Sequence, residues 1–238
     1  MSAVGSSNPG YVVARVRARR GQLYGDEEYR KLVRMSPAEI ARFMEESTYE
    51  SAINALGSRH GGVDLVEYAL NQNLAVQFEA ILEWSEGELY DLVARYLRKF
   101  DAWNLKTVIR GVYTGASREA VEADLIRAGE FDDRQIRRLL DADSIEAVVE
   151  AVEETIYDEP LRAAYPAFEE SDVLVPLENA VDRAFYDRLL TGLPGGEPVR
   201  QYEAFLEAEV DFRNAANALR LARSGAEIDP AEYFIDGG

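Results

Sequence analysis

The chain has no cysteine, one histidine and three lysines among its 238 residues. Without cysteine there are no disulfides and no thiolate metal ligands, a usage that fits a reducing compartment. With His60 alone there is no histidine-rich zinc site, no pair of Glu-x-x-His ligands for a di-iron bundle and no His-Glu-x-x-His protease helix. His60 sits in Ser58-Arg59-His60-Gly61-Gly62, whose composition reads as a surface loop. No run of 18 apolar residues occurs, so no segment is expected to span a membrane. The opening MSAVGSSNPG has neither a basic start nor an apolar stretch; residues 1–10 are expected to form a flexible arm, not a secretion signal, and the protein to stay inside the cell.

Lysine is scarce while charge is not. The formal net charge is −18, from 44 acidic and 26 basic residues, and all but Lys31, Lys99 and Lys106 of the basic set are arginines. An excess of carboxylates with so little lysine suits a protein kept soluble in concentrated salt, where screening removes most of the self-repulsion. Hydrophobic residues still make up 47%, so the chain can bury a core and is expected to be globular. Such an acidic surface argues against a nucleic-acid partner, which needs clustered Lys and Arg to displace counterions. The exception is local. Residues 1–34 carry Arg15, Arg17, Arg19, Arg20, Arg30, Lys31 and Arg34 against Asp26, Glu27 and Glu28, a balance of +4 that leaves −22 for the rest. Arg15, Arg17, Arg19 and Arg20 are either a solvated helix face or a contact patch for an acidic partner.

Helix start signals recur. Ser36-Pro37-Ala38-Glu39 combines a cap, a proline at the first helical position and a carboxylate three residues after the cap; Ser85-Glu86-Gly87-Glu88 and Asp143-Ser144-Ile145-Glu146 repeat the arrangement. Apolar residues follow helical spacing through 64–82 (Leu65, Ala69, Leu74, Phe78, Ile81) and through 89–109 (Leu92, Tyr96, Phe100, Trp103, Ile109). No stretch alternates as a strand would, so the fold class is all-α.

The sequence also repeats. At a shift of 110, Asp101, Asn104, Arg110 and Gly115-Ala116 fall on Asp211, Asn214, Arg220 and Gly225-Ala226. At 107, Arg30, Leu32, Glu39, Glu46 and Thr48 fall on Arg137, Leu139, Glu146, Glu153 and Thr155, and at 111 Glu67-Tyr68-Ala69 falls on Glu178-Asn179-Ala180. Blocks in one order at nearly one offset predict duplicated multi-helix subdomains of about 110 residues, 11–130 and 131–238, with Ile235-Asp236-Gly237-Gly238 echoing Ile126-Arg127-Ala128-Gly129. Asp101 and Asn104 stand one helical turn apart and Arg110 about two turns later, so the three cannot meet on one helix and are expected to find partners on neighbouring helices, fixing how each unit packs.

Nothing in the sequence points to catalysis. The cluster Gly192-Leu193-Pro194-Gly195-Gly196-Glu197 lacks the Lys-Ser/Thr of a phosphate loop and reads as a break between helices. The pairs Glu45-Glu46, Asp132-Asp133, Glu153-Glu154 and Glu169-Glu170 read as solvated surface. No catalytic residue, cofactor or metal is assigned. A magnesium-dependent enzyme using carboxylates alone needs inward-facing Asp/Glu at helical spacing, and the long helices offer mainly apolar inner faces.

Tyr11-Val-Val-Ala-Arg-Val-Arg-Ala-Arg19, Arg42-Phe43 with Thr48-Tyr49, Ala69-Leu70-Asn71-Gln72-Asn73-Leu74-Ala75, Asp101-x-x-Asn104-Leu-Lys-Thr-Val-Ile-Arg110-Gly111, Pro176-Leu177-Glu178-Asn179-Ala180 and Asp211-x-x-Asn214 together resemble the C subunit of archaeal A-type ATP synthases, with the d subunit of eukaryotic vacuolar ATPases a more distant relative. The resemblance runs from about residue 11 to the end. It implies a funnel of similar helical subdomains on the cytoplasmic face of the membrane, seated on the proteolipid ring and receiving the foot of the central axle. Such a rotor part turns with both and transmits torque in proton- or sodium-coupled ATP synthesis, without a catalytic group. The family carries three subdomains, and the third is expected to be absent here. The rival is a helical adapter or scaffold of an acidic halophile, for which repeats of roughly 30–45 residues are the usual signature.

Overall fold

The structure, a computed structural model, describes residues 7–224 and 234–236, and for Glu197, Pro198, Asn217, Arg220, Leu221, Ala222 and Ser224 the backbone alone. Thirteen helices and no strand occur among the described residues: α1 (Pro9–Arg20), α2 (Asp26–Leu32), α3 (Pro37–Glu45), α4 (Glu50–Leu56), α5 (Gly62–Trp84), α6 (Glu88–Leu97), α7 (Lys99–Thr114), α8 (Arg118–Ala123), α9 (Asp133–Leu140), α10 (Ile145–Ala151), α11 (Asp158–Ser171), α12 (Val175–Leu190) and α13 (Glu197–Ser224). The fold is all-α. The chain forms two compact units, one from the described residues of 1–107 with 117–132, the other from 108–116 with those of 133–238; α7 gives residues to both.

The caps explain most of the helix starts. At Ser36 the Glu39 carboxylate accepts the Ser36 N–H at 2.8 Å, and Pro37 opens α3 without wasting a donor. The cap expected at Asp143 lies one residue later: Ser144 accepts the Ala147 N–H at 3.1 Å and starts α10. Ser85 does not start a helix. Its hydroxyl donates to the Ile81 carbonyl at 2.7 Å and its extended backbone ends α5, while α6 begins after Gly87, whose φ of 58° favours glycine. The apolar run of 89–109 is divided at Arg98, whose carbonyl accepts from Asp101 N–H at 2.9 Å as well as Ala102 N–H at 3.2 Å, so the chain tightens between α6 and α7.

In the first unit α3, α4 and α5 bury Ala41, Met44, Ala52, Ile53, Leu65 and Ala69 against one another. A second cluster joins Leu97, Phe100, Ile126 and Ala128 to Phe78 and Leu82 of α5. In the second unit α11 lies along α12, with α10 on α11 and α9 on α10; Leu139, Val148, Leu161, Leu177 and Val181 are fully buried. Each such leucine contributes roughly 1.5–3 kcal/mol through burial. Helix α1 is held more lightly. Val12 is its one buried residue, and its start is pinned by Asn8, which donates to the Trp84 carbonyl at 2.8 Å and accepts from Glu86 N–H at 3.0 Å.

Leu105 is 0% exposed on α7 and Leu219 is 71% exposed on α13. Leu105→Ala is therefore expected to cost about 3 kcal/mol, from lost transfer energy and the cavity left behind. Leu219→Ala should stay within about 0.5 kcal/mol of wild type. Denaturant unfolding in molar potassium chloride measures both, and equal losses would contradict the burial pattern.

Candidate functional site

Two asparagines at the repeat offset make the same contact. Asn104 on α7 donates its side-chain amide to the Ile126 carbonyl at 2.8 Å and accepts the Ile126 N–H at 2.8 Å. Asn214 on α13 does likewise with Ile235, at 2.9 and 2.8 Å. Each side chain bonds both backbone groups of one residue in an irregular segment; at Ile126 the carbonyl also accepts the Ala128 N–H at 2.9 Å, so it is the N–H that depends on the asparagine. The partners are segment backbone groups, not residues of neighbouring helices. A primary amide suits the task because it carries donor and acceptor side by side.

Asp101 and Asp211 are not equivalent. Asp101 is buried, and its two carboxylate oxygens accept the N–H groups of Glu130 and Phe131 at 2.8 and 3.0 Å. Gly129 lies so close beneath that carboxylate that any Cβ there would collide with it. Above it Arg98 forms a bidentate pair with Glu130, at 2.5 and 2.8 Å. Asp211 is exposed. Arg110 turns outward and pairs with Glu178 of α12 at 2.5 Å, whereas the Arg220 side chain and Gly225-Ala226 lie outside the described residues. The duplicated quartet thus splits into two matched asparagines and two differently used aspartates.

Burial pushes the Asp101 carboxyl up to about 6 from an ordinary 3.8; the Phe131 and Glu130 N–H groups oppose the rise, the Glu130 carboxylate adds to it and Arg98 lowers it. A folded-state value above the unfolded one means that the folded state binds this proton more tightly. The contribution is full below about pH 4 and is lost as pH rises through about 6, at no more than about 1.4 kcal/mol per pH unit. Asp101→Asn removes the titration. Relative to that variant, wild type is expected to lose about 2 kcal/mol between pH 4 and pH 6.5, read from urea unfolding at stepped pH; a difference independent of pH would exclude the titration.

The arginines of α1 form a second arrangement. Arg15 stacks between Tyr11 and Trp84, its guanidinium carbon 4.8 and 4.9 Å from the ring centroids, and Arg19 lies 5.2 Å over the same indole. Arg19 also donates to the Gln77 side-chain oxygen. Arg17 and Arg20 are exposed. Tyr11, Arg15 and Arg19, spaced by four, share one face of α1, a signal visible in the sequence; the part played by Trp84, distant in the chain, is not. Between α1 and α5 opens a cavity of about 200 Å³ lined by apolar and polar side chains in equal number.

His60 packs edge-on to Tyr68, ring centroids 4.8 Å apart. Among the described residues no group of three or more His, Asp and Glu is placed to hold a metal ion, and no helix is long and apolar enough to cross a membrane. The arrangement is one of helical units closed by backbone clamps, with a cationic, aromatic face on one of them.

The two helical units, each with one such asparagine clamp, make an all-helical protein with no metal-holding group among its described residues. Residues 12–238 match the ATP synthase (C/AC39) subunit family, and the chain belongs to that family. Similar relatives are named as the C subunit of A-type ATP synthase: one from Halorubrum lacusprofundi is 79% identical over all of this chain and 68% of its own length. Those from Halobacterium salinarum and Methanococcoides burtonii are 59% and 38% identical, over 100% and 98% of this chain and 69% and 65% of theirs.

Proposed function

We propose that the chain is a non-catalytic spacer of the central rotor in an A-type ATP synthase. It joins the central axle to the membrane proteolipid ring on the cytoplasmic side and passes torque between them during proton- or sodium-coupled ATP synthesis. The observation that carries this reading is the repeated asparagine clamp in a member of the ATP synthase (C/AC39) subunit family. A part that transmits force needs helical units whose irregular segments are tied to their long helices, so that load does not spread through loose loops. The acidic surface, at −18, matches the salt-loaded hosts of the haloarchaeal relatives.

Two subdomains of about 110 residues, 11–130 and 131–238, are part of the proposal. So is the assignment of Arg15, Arg17, Arg19 and Arg20 to a contact face. Native mass spectrometry after a pull-down in molar potassium chloride tests the role, with purified A-type axle proteins and the proteolipid ring offered separately. A stoichiometric complex with either is expected. Binding to neither would exclude the spacer role for this chain.

A further inference from the structure

We infer that the cavity between α1 and α5, with the arginines around it, receives one aliphatic or aromatic side chain presented by an acidic segment of a partner protein. The inference rests on the proposed role as a connecting part and names the chemistry of one partner.

Size sets the first limit. The cavity measures about 200 Å³; Val16, Leu23, Leu74, Ile81 and Trp84 give it apolar wall, and Arg19, Arg20, Gln22, Thr48, Asn73 and Gln77 the polar remainder. By volume alone, a cavity of about 150 Å³ accommodates benzene, whereas small-molecule and cofactor sites run to about 300–1,000 Å³. The space therefore fits one leucine or phenylalanine side chain. Part of its lining is apolar and wet: Leu23 is 64% exposed. Covering that part with an anchor removes apolar surface from water at roughly 25 cal/mol per Å².

Charge sets the second limit. Residues 1–34 carry +4 on a chain whose remainder carries −22, so a carboxylate-rich segment is attracted here and repelled elsewhere. The stacking of Arg15 and Arg19 on Trp84 fixes their guanidinium planes and leaves in-plane N–H groups for carboxylates. Arg17 and Arg20 add exposed charge beside them. In about 1 M salt screening confines attraction to about 3 Å. Carboxylates must then touch pre-positioned arginines, and a buried anchor must hold them there. An anionic bilayer is a poorer match, because the cavity is too small for an acyl chain and the acidic body opposes a negative surface.

The test uses the intrinsic fluorescence of Trp84 in a Trp103→Phe background; these are the two tryptophans of the chain, and Trp103 is half exposed. The probe is a short glutamate-serine peptide with one central leucine, titrated in molar potassium chloride. A saturable change is expected, weakened about tenfold or more, or about 1.4 kcal/mol, by Arg20→Glu, by Leu23→Ser and by serine in place of the peptide's leucine. Both substituted residues are exposed, so the variants keep the fold, which circular dichroism verifies. No saturable change up to millimolar peptide overturns the inference, as does an equal response to the serine peptide or to a lysine version. Phosphatidylglycerol vesicles that bind with the same arginine dependence while the peptide fails would also overturn it, assigning the face to lipid. Capture of axle or ring without peptide binding defeats this inference and leaves the spacer role standing; peptide binding without capture does the reverse.

Discussion

Gly129→Ala is expected to lower the unfolding free energy by about 1–3 kcal/mol, the usual range for forcing an extra carbon into a filled site. The cause is not backbone conformation but the Asp101 carboxylate, which occupies the space a Cβ would need. That carboxylate cannot swing away cheaply, since it is buried and holds the N–H groups of Glu130 and Phe131. Moving it would leave two donors unpaired beside the Arg98–Glu130 pair. The same geometry predicts strong coupling. In an Asp101→Ala background the alanine at 129 meets no carboxylate, so its added cost should fall to within about 0.5 kcal/mol of zero. A double-mutant cycle by denaturant unfolding measures this, and additive losses would show that the glycine is needed for some other reason.

How much of this is legible in the sequence depends on the range of the interaction. Helix identity is legible, because apolar spacing and the Ser36-Pro37-Ala38-Glu39 signature are local. The duplicated Asn104 and Asn214 are legible as a pair, and Ile126 and Ile235 align with each other, but nothing local says that an amide on a helix will meet a segment about twenty residues on. Repeat register is less secure. The 107-residue shift pairs Thr48 with Thr155, whereas it is Ser47 that makes the contacts of Thr155: each hydroxyl donates to the carbonyl three residues back, Met44 at 2.7 Å and Val152 at 2.6 Å, and accepts the N–H two residues on, Tyr49 at 3.3 Å and Tyr157 at 3.2 Å. Serine and threonine share that chemistry, so identity counting picks the wrong neighbour. With Ser36 and Ser144 as the matching caps, the local offset is 108.

Long-range electrostatics are not legible. Asp101 and Asp211 align, yet one is buried under a loop and the other meets solvent. Arg110 pairs across 68 positions with Glu178, and Arg15 and Arg19 stack on an indole as remote. Such partners depend on which helices become neighbours, and that is decided by the apolar faces. The boundaries at Ser85 and Arg98 escape sequence reading for a related reason: a serine followed by glutamate can cap the next helix or finish the last, and here the hydroxyl satisfies the Ile81 carbonyl.

Asn104→Ala and Asn214→Ala should separate two clamps that share one hydrogen-bond pattern. Both remove a donor and an acceptor from a backbone residue that has no helical partner for those groups. At Asn104, 1% exposed, and Ile126, 6% exposed, water cannot replace what is lost: the Ile126 N–H is orphaned while its carbonyl keeps the Ala128 N–H, and the variant is expected to cost about 2–3 kcal/mol. Asn214 is only part-buried, although Ile235 is buried, and water reaching its side should limit the loss to about 1–2 kcal/mol. Hydrogen exchange supplies the readout specific to the clamp. The Ile126 amide should lose protection in Asn104→Ala before the α5 core amides do, because the segment is tied to α7 by that side chain while α5 has its own contacts with α3 and α4. Asn104→Asp is the sharper control: it keeps the acceptor for Ile126 N–H but sets a carboxylate oxygen against the Ile126 carbonyl, so near neutral pH it should be no better tolerated than alanine. If the aspartate variant matched wild type, the donated half of the clamp would carry none of the stability, and the repeated amide would need another explanation.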